Sequence, residues 1–289
     1  MKILMVAVFN ERSTNNSQAD GFEKNGADVL CYDYRKRAKD IGARNRDREI
    51  VQICSRERPD LVFFSKCNLV NSRVVKKCNR WSKTVLWYMD PLNSNFDKEL
   101  VRKIKYASFT CCALQEPFFE ARKLVAERAY FVHEGYDHTA DYPIDSDYHH
   151  DISFIGELRG ERQKYYDEIG FELITDAYGI DHSRAVGESR INLNFTDGGT
   201  SDRTYKVLAS EGFLLTQPWP EMERDFVDGQ DLVTFQGIRD LRSKIDYYLS
   251  HDDERKAIAE HGYNTVQKFS RIQFARRVLE IASNIDVKG

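Results

Sequence analysis

The chain has 289 residues, of which 41% are hydrophobic and 31% charged, and its formal net charge at pH 7 is −3. This composition excludes a disordered or collagen-like protein, and the length suits two α/β domains with separate cores. No apolar run approaches the ~20 residues that span a bilayer, and residues 1–10 become polar too soon for a signal peptide. We therefore expect a soluble, cytoplasmic protein.

Positive charge is concentrated in the first half of the chain. Residues 1–110 contain 22 Lys and Arg against 13 Asp and Glu, and residues 35–83 contain 15 against 5. Such asymmetry predicts a polyanionic partner for the first half. The candidate contacts in predicted basic helices are Arg44, Arg73 and Lys77.

Cysteine and histidine usage gives no sign of a metal site. The six cysteines form no Cys-x-x-Cys pair, which predicts reduced, buried thiols in a reducing compartment. The adjacent His149 and His150 lie in a polar segment and are better explained as solvated side chains than as metal ligands. A divalent metal is compatible with the sequence but is not implied by it.

The first 135 residues alternate between apolar strands and helices, which predicts a doubly wound α/β domain with a parallel sheet. Strands are predicted at 3–9, 29–34, 61–65, 84–89, 107–113 and 129–132. Helices are predicted at 17–25, 40–57, 72–81, 97–105 and 116–125. Residues 136–150 lack periodicity and are interpreted as a linker.

A second α/β domain is predicted over residues 151–270, followed by a C-terminal helix within 271–289. Its strands are predicted at 152–155, 171–175, 191–195, 213–216 and 232–235. Amphipathic helices are predicted after residue 162 and around 183–189, 203–211, 238–249 and 272–285.

Residues 191–235 carry the strongest functional pattern. An apolar strand there enters a polar loop and then a helix, which Asp202 can cap through its side chain. Arg203 and Lys206 lie three residues apart on one face, near the positive end of the helix dipole. The pattern predicts a phosphate site, and two solvent-exposed helix charges are the alternative.

A second strand-to-helix turn adds further cations. Gly156 ends an apolar strand, and Arg159 and Arg162 follow it. In an open parallel sheet the carboxyl ends of the strands meet at a crevice, so these side chains are expected to reach the same ligand. Isolated surface charges are the alternative. Asn194 alternates with apolar neighbours on its strand, and its amide could face this crevice.

Asp90 is the candidate catalytic carboxylate. It stands at the carboxyl end of the predicted strand 84–89, where a rigid strand could place it within reach of an acceptor hydroxyl as a general base. An Asp-Pro turn is the structural alternative. Asn10, which follows the first strand, would line the acceptor side.

The run Arg203-Thr-Tyr-Lys-Val-Leu-Ala-Ser-Glu-Gly-Phe-Leu-Leu-Thr216, with Glu221-Met-Glu223 and Asp151-Ile-Ser-Phe-Ile-Gly156, resembles the nucleotide-sugar half of GT-B glycosyltransferases. The similarity covers about half the chain and points to the branch of spore-maturation-like and phage glycosyltransferases. It implies two Rossmann-like domains facing across a cleft, with the last helix crossing back to the first domain.

The resemblance also implies donor contacts in the matched segments. The donor-side candidates that it adds are Tyr205, Glu211, Glu221 and Glu223. Glu211 could equally end its helix, and the other two glutamates could form a solvated turn. Lys206 departs from the family pattern, in which a glutamate thought to bind the donor ribose is common, and a phosphate role suits an ammonium better.

The activity implied by the resemblance is transfer of a sugar from a nucleotide diphosphate, with a UDP-sugar as the expected donor and no required cofactor. The favoured acceptor is a hydroxymethyl-pyrimidine in phage-type double-stranded DNA, in the host cytoplasm if the protein is viral. A cell-surface polysaccharide or a lipid-linked glycan is the alternative acceptor. A nucleotide-sugar binder without transferase activity, or an epimerase, is the alternative from another class.

Overall fold

The computed structural model describes residues 1–92, 97–196 and 199–285. The chain divides into two compact units, Met1–Glu134 with Arg271–Gly289, and Gly135–Ser270. Asp197 and Gly198 of the predicted phosphate loop and the last four residues of the predicted C-terminal segment lie outside the described residues.

The first unit is built on a six-stranded parallel sheet in the order β2-β1-β3-β4-β5-β6. Its strands are β1 Lys2–Ala7, β2 Asp28–Asp33, β3 Leu61–Ser65, β4 Lys83–Tyr88, β5 Phe109–Cys112 and β6 Ala129–Phe131. The central strands are continuous apolar runs because both of their faces are covered by buried clusters. The chain changes its direction of winding between β1 and β3, which defines a switch point at the carboxyl edge of the sheet.

Helices cover this sheet. They are α1 Asn15–Lys24, α2 Tyr34–Ile41, α3 Ala43–Glu57, α4 Ser72–Cys78, α5 Lys98–Tyr106 and α6 Gln115–Val125. The helix predicted at 40–57 is two helices, because Gly42 has φ 81° and ends the regular hydrogen-bonding pattern. Asp33 caps α2 by accepting hydrogen bonds from the backbone N–H groups of Arg35 and Lys36.

The second unit has a five-stranded parallel sheet in the order β11-β10-β9-β7-β8. Its strands are β7 His150–Ile155, β8 Glu172–Ile174, β9 Ser189–Asn194, β10 Leu214–Thr216 and β11 Val233–Thr234. Its helices are α7 Arg162–Ile169, α8 Ile180–Gly187, α9 Asp202–Ala209, α10 Gly237–Ser250 and α11 Asp252–Val266. The switch point of this sheet lies between β7 and β9. The predicted α/β class, with parallel sheets flanked by helices, is confirmed.

The segment predicted as a linker is part of the second unit, and the last helix belongs to the first. Residues 136–150 belong to the second unit, where Tyr136 forms a parallel bridge with Ser270 and the buried Asp141 accepts a hydrogen bond from the backbone N–H of Asp137 at 2.7 Å. The last helix, α12 Arg271–Asn284, is part of the first unit. Its Phe274 makes edge contacts with the rings of Phe22, Phe63 and Trp87.

The cysteines are free thiols, and five of the six are buried, whereas Cys31 is exposed. Burial raises the pKa of Cys67 and of Cys112 to about 12, so both remain neutral thiols. Within the described ranges, no three His, Cys, Asp or Glu side chains are grouped so that they could hold a metal ion. The same ranges contain no helix with the length and apolar character needed to cross a bilayer.

Candidate functional site

A cavity of about 580 Å³ opens in the second unit, next to the switch point of its sheet. It is bounded by the turn after β7, the turn after β8 and the first turns of α8 and α9. The lining residues are Ile155, Gly156, Glu157, Arg159, Arg162, Ile174, Thr175, Asp176, Ala177, Tyr178, His182, Asp202, Arg203 and Lys206. Five donor-side candidates from the sequence, Gly156, Arg159, Arg162, Arg203 and Lys206, therefore share one cavity.

Arg203 lies across the end of β7. Its Nε donates to the Ile155 carbonyl at 2.7 Å, and its guanidinium carbon lies 4.6 Å from the centre of the buried Phe154 ring. Gly156 makes this approach possible, because a Cβ at that position would lie 2.7 Å from Arg203 Nη2. The φ of Gly156 is 149°, a conformation that other residues rarely adopt.

The fully buried Asn194 holds the other side of the same guanidinium. Its Oδ1 accepts from Arg203 Nη1 at 2.9 Å, and its Nδ2 donates to Thr216 Oγ1 at 3.0 Å and to Thr204 Oγ1 at 3.3 Å. Asn194 does not line the cavity itself. Because its amide and the Ile155 carbonyl are neutral, they orient Arg203 without neutralising its charge.

Two further cations are placed by the turn after β7. Arg162 lies with its guanidinium carbon 5.5 Å from the centre of the Phe154 ring, so that one aromatic ring faces both Arg162 and Arg203. Arg159 is 75% exposed in its side chain and pairs with Glu157. The exposed pair is worth little energy, so Arg159 can leave Glu157 for a ligand at small cost.

The start of α9 differs from the expected capping arrangement. The helix begins at Asp202, and Ser201 occupies the N-cap position without a capping hydrogen bond from its side chain. Asp202 forms an ion pair with Lys206 at 2.8 Å, one helical turn away. The positive end of the α9 dipole lies at this turn, which favours an anion.

His182 is a residue of this cavity that the sequence analysis missed. It is 5% exposed, and burial together with the nearby charges of Lys206 and Arg203 lowers its pKa to about 3, against the opposite effect of Asp202. The imidazole is therefore neutral at physiological pH. A single histidine in an amphipathic segment carries no pattern that would have identified it.

In the first unit, Asp90 lies after β4 and forms an ion pair with Lys66, which follows the adjacent strand β3. The distance from Lys66 Nζ to Asp90 Oδ2 is 2.6 Å, and both side chains are partly exposed. Asn10 follows β1, and its Oδ1 accepts from the backbone N–H of Arg12 at 3.0 Å. All three residues lie at the carboxyl edge of the first sheet.

A basic groove of about 720 Å³ runs between α3 and α4 in the first unit. It is lined by Arg44, Asp47, Arg48, Val51, Gln52, Asn71, Arg73, Val74 and Lys77. Asp47 is the one carboxylate among these residues. Its Oδ1 accepts from Nη2 of the buried Arg46 at 2.7 Å, so the charge of Arg46 offsets that of the carboxylate. Arg44, Arg73 and Lys77, predicted from charge density alone, thus line one surface.

Besides Asn194, four donor-side candidates do not line this cavity. Tyr205 is 1% exposed and packs against Phe226 and Phe269 in the core, because it faces away from the strand ends. Glu211 follows α9 with φ 58° and lines a different cavity, at the amino edge of the sheet. Glu221 and Glu223 lie near the short 3-10 helix after β10, where Glu221 pairs with Arg224 at 2.5 Å.

Comparison with known proteins identifies this architecture. A family model described as glycosyl transferase-like matches residues 142–283, which include the cavity. No curated protein matches the chain by sequence.

Solved structures match the chain over nearly its whole length. The Anabaena protein HepE, in complex with UDP and glucose, has a TM-score of 0.71 and 10% identity, covering 98% of this chain and 99% of that one. A glycosyltransferase from Rickettsia africae has a TM-score of 0.66 and 12% identity, covering 98% of each chain. Phage T4 β-glucosyltransferase has a TM-score of 0.63 and 10% identity, covering 99% of this chain and 100% of that one. At these identities the likeness establishes the fold, which is GT-B.

Proposed function

We propose that this chain, a glycosyltransferase with the GT-B fold, takes a sugar from a UDP-sugar and transfers it to a hydroxyl group on DNA. The observation that carries the donor assignment is the cavity beside the switch point between β7 and β9, where Arg159, Arg162, Arg203 and Lys206 meet. UDP or UDP-glucose is bound in the structures of HepE, which supports a uridine donor here.

The diphosphate is assigned to the cationic end of the cavity. Arg203 offers a planar guanidinium that the Ile155 carbonyl and the Asn194 amide hold in place, and α9 begins here with the positive end of its dipole. When the bond between the sugar C1 and the diphosphate oxygen breaks, the electron pair stays on the diphosphate. The cations stabilise this negative charge, which is the main electrostatic demand of glycosyl transfer.

Asp90 is assigned the role of general base. The acceptor hydroxyl oxygen forms the new bond to C1 of the sugar, and its proton passes to the Asp90 carboxylate. Lys66 Nζ lies 2.6 Å from Asp90 Oδ2 and holds this carboxylate at the end of its strand. Positioning of the two substrates supplies much of the remaining rate enhancement.

The basic groove between α3 and α4 supports DNA as the acceptor. Four cations line it, and helices α3 and α4 both begin at the carboxyl edge of the sheet, the edge that carries Lys66 and Asp90. Lys and Arg that contact successive phosphates position a duplex without reading its sequence. Phage T4 β-glucosyltransferase is described as a DNA-modifying enzyme, which gives the assignment a precedent on this fold.

Transfer is tested by incubating the protein with a panel of UDP-sugars and duplex DNA that contains 5-hydroxymethylcytosine, followed by mass spectrometry of the nucleosides. We expect a nucleoside heavier by one sugar, and loss of this product with Asp90→Asn. Donor binding without UDP release on any acceptor would support a nucleotide-sugar binder and contradict the transferase assignment of the site.

The groove is tested by DNA binding at a series of salt concentrations. The triple variant Arg44→Ala, Arg73→Ala, Lys77→Ala is expected to bind more weakly, with the slope of log K against log salt smaller by about 2 to 3. A matched control, Lys24→Ala, Arg56→Ala, Lys105→Ala, removes the same charge outside the groove and should leave the slope nearly unchanged. Equal effects of the two variants, or no duplex binding by the wild type at about 50 mM salt, would exclude the groove as a DNA site.

A further inference from the structure

We infer that His182 determines donor specificity by hydrogen bonding through its ring Nδ1 to the nucleoside part of the donor. This inference rests on the proposed function, because it assumes that the cavity of the second unit holds a nucleotide. His182 would recognise the nucleoside, whereas the cationic groups already assigned to this site would bind the diphosphate.

The position of His182 is fixed by the backbone. It lies in the first turn of α8, and its N–H donates to the Gly179 carbonyl at 3.0 Å. Only 5% of the residue is exposed, and the residue lines the cavity. The ring therefore cannot turn toward bulk solvent to find other partners.

The Nδ1 atom of His182 is buried and has no hydrogen-bond partner among the residues that the structure describes. A buried polar atom left without a partner costs about 1–3 kcal/mol, so such atoms are uncommon in folded proteins. At a cavity wall, a ligand can supply the missing partner. The cavity thus contains an unsatisfied polar group in addition to its cations.

The charges around His182 favour a neutral ring. From α9 it faces Lys206, Arg203 and Asp202, and the turn after β8 contributes Asp176 to the same cavity. Burial and the two cations outweigh Asp202 and lower the pKa of His182 to about 3. An imidazole in this state offers one donor and one acceptor but adds no charge to a phosphate site.

The elements that line the cavity differ in charge. Arg159 and Arg162 come from the turn after β7, and Arg203 and Lys206 come from α9, whereas residues 175–178 after β8 include one charged side chain, Asp176. A nucleotide sugar divides in the same way, into a charged diphosphate and a neutral nucleoside rich in hydrogen-bonding groups. We therefore assign the diphosphate to the arginines and the nucleoside to the side formed by the turn after β8 and the start of α8, where Tyr178 and the uncharged ring of His182 lie.

The test compares His182→Leu, which removes the ring nitrogens, with His182→Asn, whose amide can replace Nδ1. Isothermal titration calorimetry with UDP-, ADP- and GDP-glucose first identifies the donor that the wild type binds most tightly. We expect His182→Leu to lose about 5- to 30-fold in affinity for that donor, and His182→Asn to lose less than about 3-fold. Binding of inorganic pyrophosphate, which lacks a nucleoside, should be the same for all three proteins.

Several outcomes would overturn the inference. Unchanged donor affinity in a folded His182→Leu variant, or an equal loss for pyrophosphate, would remove the nucleoside contact. If that variant does not fold, the wild type alone decides: its affinity for UDP-glucose should stay flat between about pH 5.5 and 8, and a rise toward low pH would indicate a cationic ring. Failure of the wild type to bind any of the three nucleotide sugars would instead contradict the proposed function.

Discussion

Lys66 and Asp90 form a 2.6 Å ion pair at the ends of adjacent strands, and a second lysine fixes the turn that makes the pair possible. Lys66 and Cys67 both have positive φ, 56° and 53°. The buried Lys103 donates from Nζ to the Cys67 carbonyl at 2.8 Å and to the Asn68 carbonyl at 3.3 Å. Lys103 thus satisfies two carbonyls of the turn that follows Lys66, and these contacts hold the turn in place.

Replacement of either member of this pair should lower the rate of transfer without weakening donor binding. Asp90→Asn is expected to reduce kcat by about 10²-fold or more, because the amide cannot accept the hydroxyl proton. Lys66→Met should give a smaller loss of about 10-fold, and Lys66→Arg should retain most of the activity. The measurement is kcat together with donor affinity, and a Lys66→Met variant with wild-type kcat would show that the ion pair is only structural.

Replacing Arg203 by lysine should weaken donor binding even though the positive charge is kept. Arg203→Lys removes the planar fork that contacts Ile155 and Asn194, so the ammonium is no longer fixed, and we expect a loss of about 10-fold or more in affinity for UDP-glucose. Arg159→Lys, at an exposed position, is the matched control and should change affinity by less than about 3-fold. Similar losses for both variants would indicate that only total charge matters.

Gly156 should respond to a single added methyl group. In Gly156→Ala the new Cβ meets Arg203 Nη2 at 2.7 Å, so the guanidinium has to move, and donor affinity should fall together with stability. Gly170→Ala provides the control: its φ of 74° is also positive, but nothing lies within 4 Å of the added Cβ. We expect Gly170→Ala to cost about 1 kcal/mol of unfolding free energy and to leave donor binding intact. Urea unfolding and calorimetry separate the two effects.

Stability of the folded chain should decrease in weak acid because of His182. The folded-state pKa is lowered from 6.5 to about 3, so below pH 6.5 the unfolded chain takes up a proton that the folded chain does not. The stabilisation is therefore fully present above pH 6.5 and is lost progressively as the pH falls, by about 2 kcal/mol between pH 6.5 and 5.

The matched variant for this pH effect is His182→Asn, which does not titrate. Urea unfolding at a series of pH values should show a flatter profile for the variant than for the wild type between pH 6.5 and 5. The acid loss at lower pH should remain in both proteins, since the pKa of Glu49, lowered to about 2 by its hydrogen bonds from Arg37 and Tyr32, is unaffected. Parallel profiles above pH 5 would contradict a neutral His182.

The strands and the cation-rich turns could be predicted because each depends on local sequence. Strand β3 was predicted with its observed bounds, since a buried parallel strand is a plain apolar run between polar turns. Gly156, Arg159 and Arg162 follow such a run, and Arg203 lies in the first turn of α9. Parallel-sheet geometry brings these turns to one edge of the sheet.

The remaining features depend on tertiary contacts. Tyr205 and Lys206 are adjacent in the matched run, yet one enters the core and the other lines the cavity, because successive helical positions point about 100° apart. Glu211 lies beyond the end of α9, at the opposite edge of the sheet from the start of that helix. The pairing of Lys66 with Asp90 depends on strand order and on a strained turn, neither of which the sequence alone specifies.

The basic groove between α3 and α4 is lined only by residues of the first unit, and the cavity around Arg203 is lined only by residues of the second. If the groove holds the acceptor, as proposed, substitutions on the outer surfaces of α3 and α4 would change acceptor binding while the residues around Arg203 stay the same. Two homologues could then use the same sugar donor and differ in their acceptors. Transferring the surfaces of α3 and α4 from one homologue to the other would be the most direct way to exchange acceptor preference.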